Sequence, residues 1–511
     1  MKFSVAKATP QSFKTELVAI GLFERSEEES EGKKKHALIK HIDGGIDLDR
    51  ALGGEISKQI AAECFTGAKG TSRLLFTTGR IPARFVLLVG MGPRTECNLE
   101  VLRAAGSAIS RACNKASAES AALVLERGSI DEMPAANRAR AIAEGTILGA
   151  YRFDKYKTDK EDEKPRLTKT TFLYQGDAGP VREAVEIGRI VAEAQNIARD
   201  LVNTPGIDAT PKLLAAFAKK MAAGFGLKCN VLASDAIKRE RMNGLLAVSR
   251  GSAEPPSFII LTYKPKDRSH GHVALIGKGI TFDAGGLSLK PPRQMEDMKS
   301  DMAGAASVIA AMQAIAQLKP AVQVSAFVAA SENLPDGKAI KPGDIIKMRN
   351  GKTVEIINAD AEGRLVVADG LSYAVDKKPD AIVDLATLTG GAAYCCGELY
   401  SIVLGSDQKL VDKLKRSAEA TGEPIWQLPM VEEYKKGYTS GIADLNNNGK
   451  SKAQTILGAL FLREFVDDTP WAHLDIAASS WTDESLPTCP KGATGIAVRT
   501  IVDFVCGFKK G

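Results

Sequence analysis

One stretch, Asn358-Ala359-Asp360-Ala361-Glu362-Gly363-Arg364-Leu365, joins the apolar run Val354-Glu355-Ile356-Ile357 to a helical pattern beyond it. The two patterns predict a strand that leads into the stretch and a helix that follows it, as expected in an α/β fold. If the stretch is extended, alternate side chains point the same way, so Asp360, Glu362 and Arg364 share one face. Two carboxylates and a guanidinium are then predicted to converge at a helix start.

This combination of charges has two interpretations. Two carboxylates a strand step apart can each reach one of two divalent ions roughly 3.5 to 4 Å apart, and Arg364 at a helix N-terminus makes an anion site beside them. Alternatively, Asp360 caps the helix, Glu362 is a favourable acid in its first turn, and Arg364 is a surface charge. The stretch alone does not decide between them, because such short strings are common.

A second stretch favours the metal interpretation. The strand-like run Val273-Ala274-Leu275-Ile276-Gly277 leads into a glycine-rich segment, and a helix is predicted over residues 303–318. The charged residues between them include Lys278, Asp283, Lys290 and Asp301. In open α/β sheets, ligands bind at the carboxyl ends of strands, where we expect this segment to emerge as a loop. Taken singly, Asp301 is an ordinary helix cap and the lysines are surface charges.

Histidine is too scarce to build the metal site. The chain has five histidines, none in H-E-x-x-H spacing, so a two-metal centre must be rich in carboxylates. The carboxylates that would offset two divalent ions are Asp283, Asp301, Asp360 and Glu362. A lysine ligates only as the free amine, so Lys278 can be a ligand only if a neighbouring cation expels its proton. Lys290 is more useful as a charged ammonium.

The chain resembles the leucyl aminopeptidase (cytosol aminopeptidase) family in three motifs: Gly277-Lys278-Gly279-Ile280-Thr281-Phe282-Asp283, Met298-Lys299-Ser300-Asp301 and the stretch 358–365. The resemblance covers about residues 190–506. It implies an N-terminal macro-like α/β domain and a C-terminal α/β/α catalytic domain with a mixed, mainly parallel sheet, assembled as a hexamer of two trimers. It also implies two divalent ions per subunit, zinc or manganese with magnesium or cobalt as alternatives, and a bound bicarbonate.

The resemblance also assigns a role to each matching position. The implied metal ligands are Lys278, Asp283, Asp301, Asp360 and Glu362. The implied catalytic residues are Lys290 and Arg364. The residues implied to contact the substrate are Met298, Asn358, Thr387, Gly390 and Ala477. The residues implied to hold bicarbonate are Arg364 and Leu388.

These residues predict a metal-dependent aminopeptidase that releases N-terminal amino acids from peptides, with leucine and other apolar residues favoured by resemblance. A water between the two metals would be acidified, while the free α-amine of the substrate takes an open metal position. Lys290 would stabilise the developing oxyanion. Arg364 is too basic to act as a general base, so we expect it to hold an anion, which the resemblance implies is bicarbonate, that carries the proton from the water to the leaving amine.

In the rest of the sequence, strand and helix patterns alternate. In the first region, a strand over residues 85–90, a helix over 99–114 and a strand over 121–125 predict a βαβ unit in a parallel sheet. A long helical pattern over 181–203 ends where Asn203-Thr204-Pro205-Gly206 turns the chain. The domains predicted from these patterns are an N-terminal domain over 1–180, a linker helix over 181–205 and a catalytic domain over 206–511. Further predictions are helices over 212–224 and 234–245 and strands over 227–233, 257–263 and 273–277.

Composition limits the remaining choices. With 44% hydrophobic and 25% charged residues, the chain has the make-up of a globular protein, and its net charge of +6 over 511 residues argues against a dedicated nucleic-acid binder. Eight cysteines without C-x-x-C spacing are predicted to be reduced thiols. No signal peptide is predicted, and no apolar run reaches the roughly 18 residues of a membrane span. We therefore expect a cytoplasmic protein without membrane partners.

Two other functions remain open from the residues. A two-metal phosphoesterase would carry a similar carboxylate cluster, and assays of aminoacyl amides against phosphate esters would separate the two enzymes. An assembly that grips nucleic acid through a basic surface, with peptidase chemistry secondary, would show binding that falls steeply with salt.

Overall fold

The computed structural model describes residues 1–24, 44–62, 64–125, 133–158, 166–449 and 452–510. The chain divides into two compact units: Met1–Glu193 with Glu484–Pro490, and Ala194–Asp483 with Lys491–Gly511. The domain limits expected from the sequence, at residues 180 and 205, stay predictions.

The first unit is built on a six-stranded sheet. Its strands are β1 (Lys2–Ala6), β2 (Leu17–Glu24), β3 (Ser72–Phe76), β4 (Phe85–Pro93), β5 (Ser120–Val124) and β6 (Lys169–Leu173). Its helices are α1 (Gly45–Ala51), α2 (Glu55–Ala61), α3 (Leu99–Ala116), α4 (Ala135–Gly149) and the first part of α5 (Ala178–Asn203), with a 3-10 turn at Arg94–Glu96. The strand order is β1-β6-β5-β2-β4-β3, and only β3 runs antiparallel to its neighbour. The predicted unit of β4, α3 and β5 is confirmed, with β2 lying between the two strands.

The second unit contains the elements that carry the predicted site. Its strands are β7 (Lys228–Leu232), β8 (Ser257–Tyr263), β9 (His272–Asp283), β10 (Gln323–Asn333), β11 (Ile345–Lys347), β12 (Thr353–Glu355), β13 (Ala381–Ala386), β14 (Ser401–Gly405), β15 (Ile425–Gln427), β16 (Leu445–Asn446), β17 (Trp471–Asp475), β18 (Trp481–Thr482) and β19 (Gly492–Ala493). Its further helices are α6 (Pro211–Phe225), α7 (Ser234–Arg239), α8 (Asn243–Ser249), α9 (Pro292–Met295), α10 (Ala303–Leu318), α11 (Gly363–Val375), α12 (Gly391–Cys396), α13 (Gln408–Thr421), α14 (Gln454–Arg463) and α15 (Val498–Cys506), with 3-10 turns at Met298–Met302 and Glu432–Gly437.

The main sheet of this unit has eight strands in the order β15-β14-β17-β13-β9-β10-β8-β7. The four central strands, β17, β13, β9 and β10, run parallel to one another. The antiparallel pairs are β14 with β17, β10 with β8, and β8 with β7. The mixed, mainly parallel sheet predicted from the sequence is therefore confirmed.

Helices cover both faces of the central strand β9. On one face, a side chain at Gly277 would come within 2.7 Å of the Ala305 backbone, so α10 lies directly against the strand. On the other face, Ile276 packs in one core cluster with Leu365 and Val366 of α11. Strands buried on both faces are apolar along their whole length, which explains the uninterrupted run at residues 273–277. The arrangement is an α/β/α sandwich.

Three local expectations are wrong. The loop expected from Lys278 onward is strand, because β9 pairs with β10 as far as Asp283. The helix predicted over 234–245 is two helices, because Arg241 adopts a left-handed conformation with φ 58° between them. The stretch from Asn358 is not extended, because the Asn358 side chain accepts the Asp360 N–H at 2.9 Å and bends the chain into a turn before α11.

One helical stretch, Pro292–Leu318, has the length and composition of a membrane span. However, 89% of its most apolar window is buried within the protein itself. Its apolar side chains therefore pack in the core beside the main sheet.

Candidate metal centre

The parallel strands of the main sheet end at one edge, and each brings a polar group to that edge. Asp283 is the last residue of β9, Asn333 the last of β10 and Asp475 the last of β17, while Thr387 follows β13. Strand pairing sets Asn333 directly opposite Asp283. The carboxyl edge of the sheet is thus polar, as the sequence predicted from the general position of ligand sites in such folds.

The predicted carboxylates converge at this edge. Oxygen atoms of Asp283, Asp301 and Glu362 lie within 4.8 Å of one another, and all three residues are buried. Lys290 connects the fourth carboxylate to this group, because its Nζ lies 2.9 Å from Asp283 Oδ2 and 2.5 Å from Asp360 Oδ1. Four acids from two stretches distant in sequence, 283–301 and 360–362, therefore form one cluster.

The two predicted lysines occupy different positions in the cluster. Lys278 is enclosed, with 4% of its side chain exposed, and its Nζ lies 2.8 Å from Asp301 Oδ1 and 3.0 Å from Glu362 Oε1. It also donates to the Thr387 carbonyl at 2.8 Å. Lys290 is 15% exposed and lies on the loop after β9. Lys278 is placed to face the interior of the centre, and Lys290 to meet a bound molecule.

The acid oxygens are under-satisfied, which fits a centre that binds cations. Among the described residues, Asp301 Oδ2 and Glu362 Oε2 are buried and accept no hydrogen bond. Burial raises the pKa of Glu362 to about 8, and the Asp283 carboxylate adds to the rise. Burial also raises the pKa of Asp301 to about 6, although Lys278 opposes this rise. Divalent cations would satisfy these oxygens and favour their ionised forms.

The protonation state of Lys278 depends on the charges that surround its amine. Burial alone would lower the pKa of this amine, but the carboxylates of Asp301, Glu362 and Asp283 outweigh it, so the pKa is raised. When only these carboxylates surround it and no cation is bound, Lys278 is protonated. The neutral amine that the sequence reasoning requires of a ligand would arise only next to a cation.

Glycines make room for the charged side chains. A Cβ at Gly363 would lie 2.5 Å from Lys278 Cε, so the start of α11 can approach the lysine only without a side chain. Gly285, with φ 86°, turns the loop after β9, and a Cβ there would lie 2.8 Å from Asp360 Oδ1. Gly363 and Gly285 therefore allow the backbone to approach the cluster closely.

Arg364, the second residue of α11, is a buried cation. No acid among the described residues lies within ion-pair distance of its guanidinium, whose Nη1 is 3.5 Å from the Asn448 carbonyl oxygen. Its guanidinium lies 5.9 Å from the centre of the Phe461 ring. Burial lowers the pKa of Arg364 to about 10, and Glu362 and Asp475 offset this only in part. The side chain is still charged at neutral pH and is available for an anion.

The residues predicted to contact substrate are only partly connected to the cluster. Thr387 is connected, because its hydroxyl donates to Asp301 Oδ1 at 2.7 Å. The side-chain oxygen of Asn358 already accepts the Asp360 backbone N–H in the turn before α11. Among the described residues, no hydrogen bond or ion pair joins Met298 or Gly390 to the acids; Met298 is half-buried and Gly390 exposed.

Asp475 organises the neighbouring turn and was not found from the sequence. Its Oδ1 accepts the backbone N–H groups of Leu388, at 3.1 Å, and Ala477, at 3.2 Å. Its Oδ2 accepts the Thr389 hydroxyl at 2.6 Å. One fully buried carboxylate thus ties together two segments that carry predicted substrate and bicarbonate residues. Its place at the end of a parallel strand is the signal that could have identified it.

Two amides support the acids and were also missed. Asn333 donates to Asp283 Oδ1 at 2.8 Å and to the Ala359 carbonyl at 3.1 Å, so it links β9 to the turn before α11. Asn447 accepts the Ile357 N–H at 2.8 Å and donates to the Asn358 carbonyl at 2.6 Å. Side chains that hold ligands in place influence metal affinity as well as geometry.

Comparisons with known proteins agree with this arrangement. Residues 196–502 match the catalytic domain of the cytosol aminopeptidase family, and residues 19–160 match its N-terminal domain. A probable cytosol aminopeptidase of Geobacter sp. (strain M21) is 43% identical over 460 residues, covering 90% of this chain and 93% of the relative. Another, from Alkaliphilus metalliredigens (strain QYMF), is 38% identical and covers both chains completely.

Solved structures show the same relationship. A mutant of tomato leucine aminopeptidase superposes with a TM-score of 0.87 at 34% identity, covering 99% of this chain and 96% of that one. The bottromycin maturation enzyme BotP in complex with Mn superposes with a TM-score of 0.83 at 36% identity, covering 96% and 99%. The two-domain α/β fold is therefore shared along nearly the whole chain. The chain belongs to the cytosol aminopeptidase family and is a metal-dependent aminopeptidase.

Proposed function

We propose that this enzyme removes N-terminal amino acids, leucine and other apolar residues preferred, from peptides whose α-amine is free. The observation that supports this most is the cluster of Asp283, Asp301 and Glu362, in which Asp301 Oδ2 and Glu362 Oε2 are buried and accept no hydrogen bond from any described residue. Buried carboxylate oxygens without donors are costly, so a group of them is expected to face cations or positively charged substrate groups. A free α-amine is a suitable substrate group for such a centre.

We propose that Lys278, Asp283, Asp301, Asp360 and Glu362 hold two divalent ions. Zinc or manganese is proposed, with magnesium or cobalt as alternatives, and the manganese complex of the related BotP supports manganese. When bound, such ions polarise a carbonyl and make a water molecule acidic enough to attack it near neutral pH. Lys278 would be uncharged in that state.

Lys290 is proposed to stabilise the oxyanion that forms on the scissile carbonyl. Its ammonium is 15% exposed and lies between Asp283 and Asp360, at the boundary between the acids and solvent. Burial by itself would lower the pKa of Lys290, but Asp283 and Asp360 raise it, so the group is charged at neutral pH. A fixed positive charge aimed at a developing oxyanion lowers the barrier without moving a proton.

Arg364 is proposed to hold a bicarbonate that transfers a proton from the attacking water to the leaving amine. An anion at this place is supported by its buried guanidinium, which has no carboxylate within ion-pair distance among the described residues. Leu388, the second residue proposed for bicarbonate, already donates its backbone N–H to Asp475. Leu388 would therefore have to share that N–H between the carboxylate and the bicarbonate.

Substrate contacts are proposed for Met298, Asn358, Thr387, Gly390 and Ala477. We further propose a cytoplasmic homohexamer that acts on peptides in general peptide breakdown, without membrane or nucleic-acid partners. Assembly is supported by the exposed apolar side chains of Tyr394 and Leu399, which are 95% and 63% exposed in the single chain.

The proposal is tested by comparing leucine amide with its N-acetyl derivative, in enzyme supplied with manganese or zinc. Hydrolysis of the free amide with no hydrolysis of the acetylated one is expected, because acetylation removes the amine's basicity and its ability to bind a cation. Comparable rates on both substrates would show that the α-amine is not recognised. Omitting bicarbonate should slow wild type more than Arg364→Ala, since the variant has lost the proposed anion site.

A further inference from the structure

Strand β3 forms one edge of the sheet in the first unit. In the part of this unit that the structure describes, β3 is the outermost strand and pairs only with β4. At one end of β3, Thr77 donates its backbone N–H to Arg84, and at the other Gly90 donates to the Thr71 carbonyl. Backbone groups alternate in direction along an antiparallel strand, so odd-numbered residues face β4 and even-numbered residues face outward.

The outward backbone groups belong to Ser72, Leu74 and Phe76. In the part of the chain that the structure describes, their N–H groups have no hydrogen-bond acceptor. A row of free N–H and C=O groups is a template for another strand, and natural proteins usually shield it. Here β3 is five residues long, enough to pair with a short peptide.

An apolar groove runs beside this edge. Its volume is about 1070 Å³, close to the upper end of the roughly 300 to 1,000 Å³ found for ligand clefts. Leu74 and Phe76 line it from the strand, and Ala108, Ala112 and Ala116 line it from α3. Phe76 is 72% exposed, which is unusual for a phenylalanine in a strand. The groove can therefore accept apolar side chains at alternate positions of an added strand.

The rim of the groove is strongly positive. Among the described residues that line the groove, Arg73, Arg80, Arg111 and Lys115 are basic and Glu55 alone is acidic. Among the described residues, no acid lies within ion-pair distance of Arg73 or Lys115. Such a rim attracts a negatively charged partner and repels a positive one.

We propose that this groove binds an extended acidic peptide segment, which adds to β3 as a further strand. The free backbone groups would supply the main-chain bonds, the groove would take apolar side chains, and the rim would pair with carboxylates. A second copy of this chain is disfavoured, because its own rim would bring like charges together. Nucleic acid would use the cations but neither the apolar floor nor the outward N–H groups.

The test uses the full-length, metal-loaded enzyme and a peptide amide of sequence Glu-Val-Asp-Val-Glu, with fluorescein on its N-terminus so that it has no free α-amine. Fluorescence anisotropy should show saturable binding that weakens as salt rises, since the contacts at the rim are exposed. The matched Lys-Val-Lys-Val-Lys peptide should not bind. Equal binding of both peptides would overturn the proposal.

Two sets of variants test separately the contribution of the charged rim and that of strand pairing to peptide binding. Arg73→Glu combined with Lys115→Glu should weaken binding at least about 10-fold, because two unpaired cations become repulsive. Leu74→Pro removes one outward N–H without breaking a bond to β4, so binding should be lost, whereas Leu74→Ala should retain most of it. All variants should hydrolyse leucine amide at the wild-type rate, which reports that they are folded.

Three outcomes would contradict the proposal. Peptide binding that is unchanged in the Arg73→Glu, Lys115→Glu variant would show that the basic rim does not contribute. If Leu74→Pro fails to fold, this charge-reversal variant alone tests the proposal. Tighter binding of a fluorescein-labelled single-stranded oligonucleotide would make the surface a nucleic-acid site. Self-association that Leu74→Pro abolishes would show that the edge pairs with another copy of the chain.

Discussion

At the scale of single residues, the centre depends on the different surroundings of two lysines. Lys278 is enclosed by Asp301 and Glu362, whereas Lys290 lies at the exposed side near Asp283 and Asp360. The sequence predicted different roles for them by resemblance and by the chemistry of amines. It could not predict which lysine would be enclosed, because that depends on the approach of Gly363, distant in sequence.

Lys290→Ala tests the role of the exposed lysine. Turnover on leucine amide should fall on the order of 100-fold to 1,000-fold, because a charge aimed at the oxyanion is lost. Metal content should stay at the wild-type level, since no oxygen ligand is removed. Lys338→Ala, at an exposed lysine in the same unit, is the matched control, and metal loss in Lys290→Ala alone would show that Lys290 instead maintains the ligand set.

Asp475 is expected to position the substrate pocket. Asp475→Ala removes the acceptor for Leu388, Thr389 and Ala477, so we expect KM and the preference among leucine, alanine and phenylalanine amides to change while metal content is retained. Asp475→Asn should recover part of the preference, because its amide oxygen can still accept the two backbone N–H groups. An equal fall in kcat/KM for all three amides in both variants would argue against a positioning role.

At the scale of secondary-structure elements, the sheet edge brings the site together. Strand and helix periodicities predicted β8 and α10 to the residue, and the order of elements predicted a mainly parallel sheet. The turn before α11 was predicted incorrectly as an extended segment. The error arose because a side-chain hydrogen bond of Asn358 competes with the extended conformation, and periodicity does not report such local bonds.

Gly363→Ala tests how closely α11 must approach β9. The added methyl would lie 2.5 Å from Lys278 Cε, so Lys278 or the helix must move, and both metal content and hydrolysis should fall. Gly224→Ala is the matched control, because Gly224 lies in α6 with no atom within 4 Å of a Cβ. That control should be neutral or stabilising by about 0.5 to 1 kcal/mol in thermal unfolding. Full activity in Gly363→Ala would show that the close approach is not required.

At the scale of the whole molecule, the sequence predicted the fold class, the family and the four converging carboxylates. It did not identify Asn333, Asn447 or Asp475, which hold the loops in place. Their bonds join segments about 26 to 90 positions apart, and single-residue patterns contain no information on such pairings. The long motifs therefore identified the residues proposed to bind the metals, but not the residues that hold those side chains in place.

Assembly is a further prediction at this scale. Sedimentation equilibrium should give six times the 54.4 kDa mass of the chain. Leu399→Glu combined with Tyr394→Glu should reduce that mass, because charges would replace exposed apolar side chains that we expect to be buried between subunits. A wild-type mass of one chain at micromolar concentration would contradict the hexamer.

The central claim is that acids from distant segments jointly bind two cations. It is tested most directly by elemental analysis of gently purified wild type and Glu362→Ala, measured alongside hydrolysis of leucine amide. We predict two divalent ions per wild-type chain, loss of metal in Glu362→Ala and loss of its activity. Wild type without metal that added manganese or zinc does not activate, or Glu362→Ala with full metal content and full activity, would contradict the account.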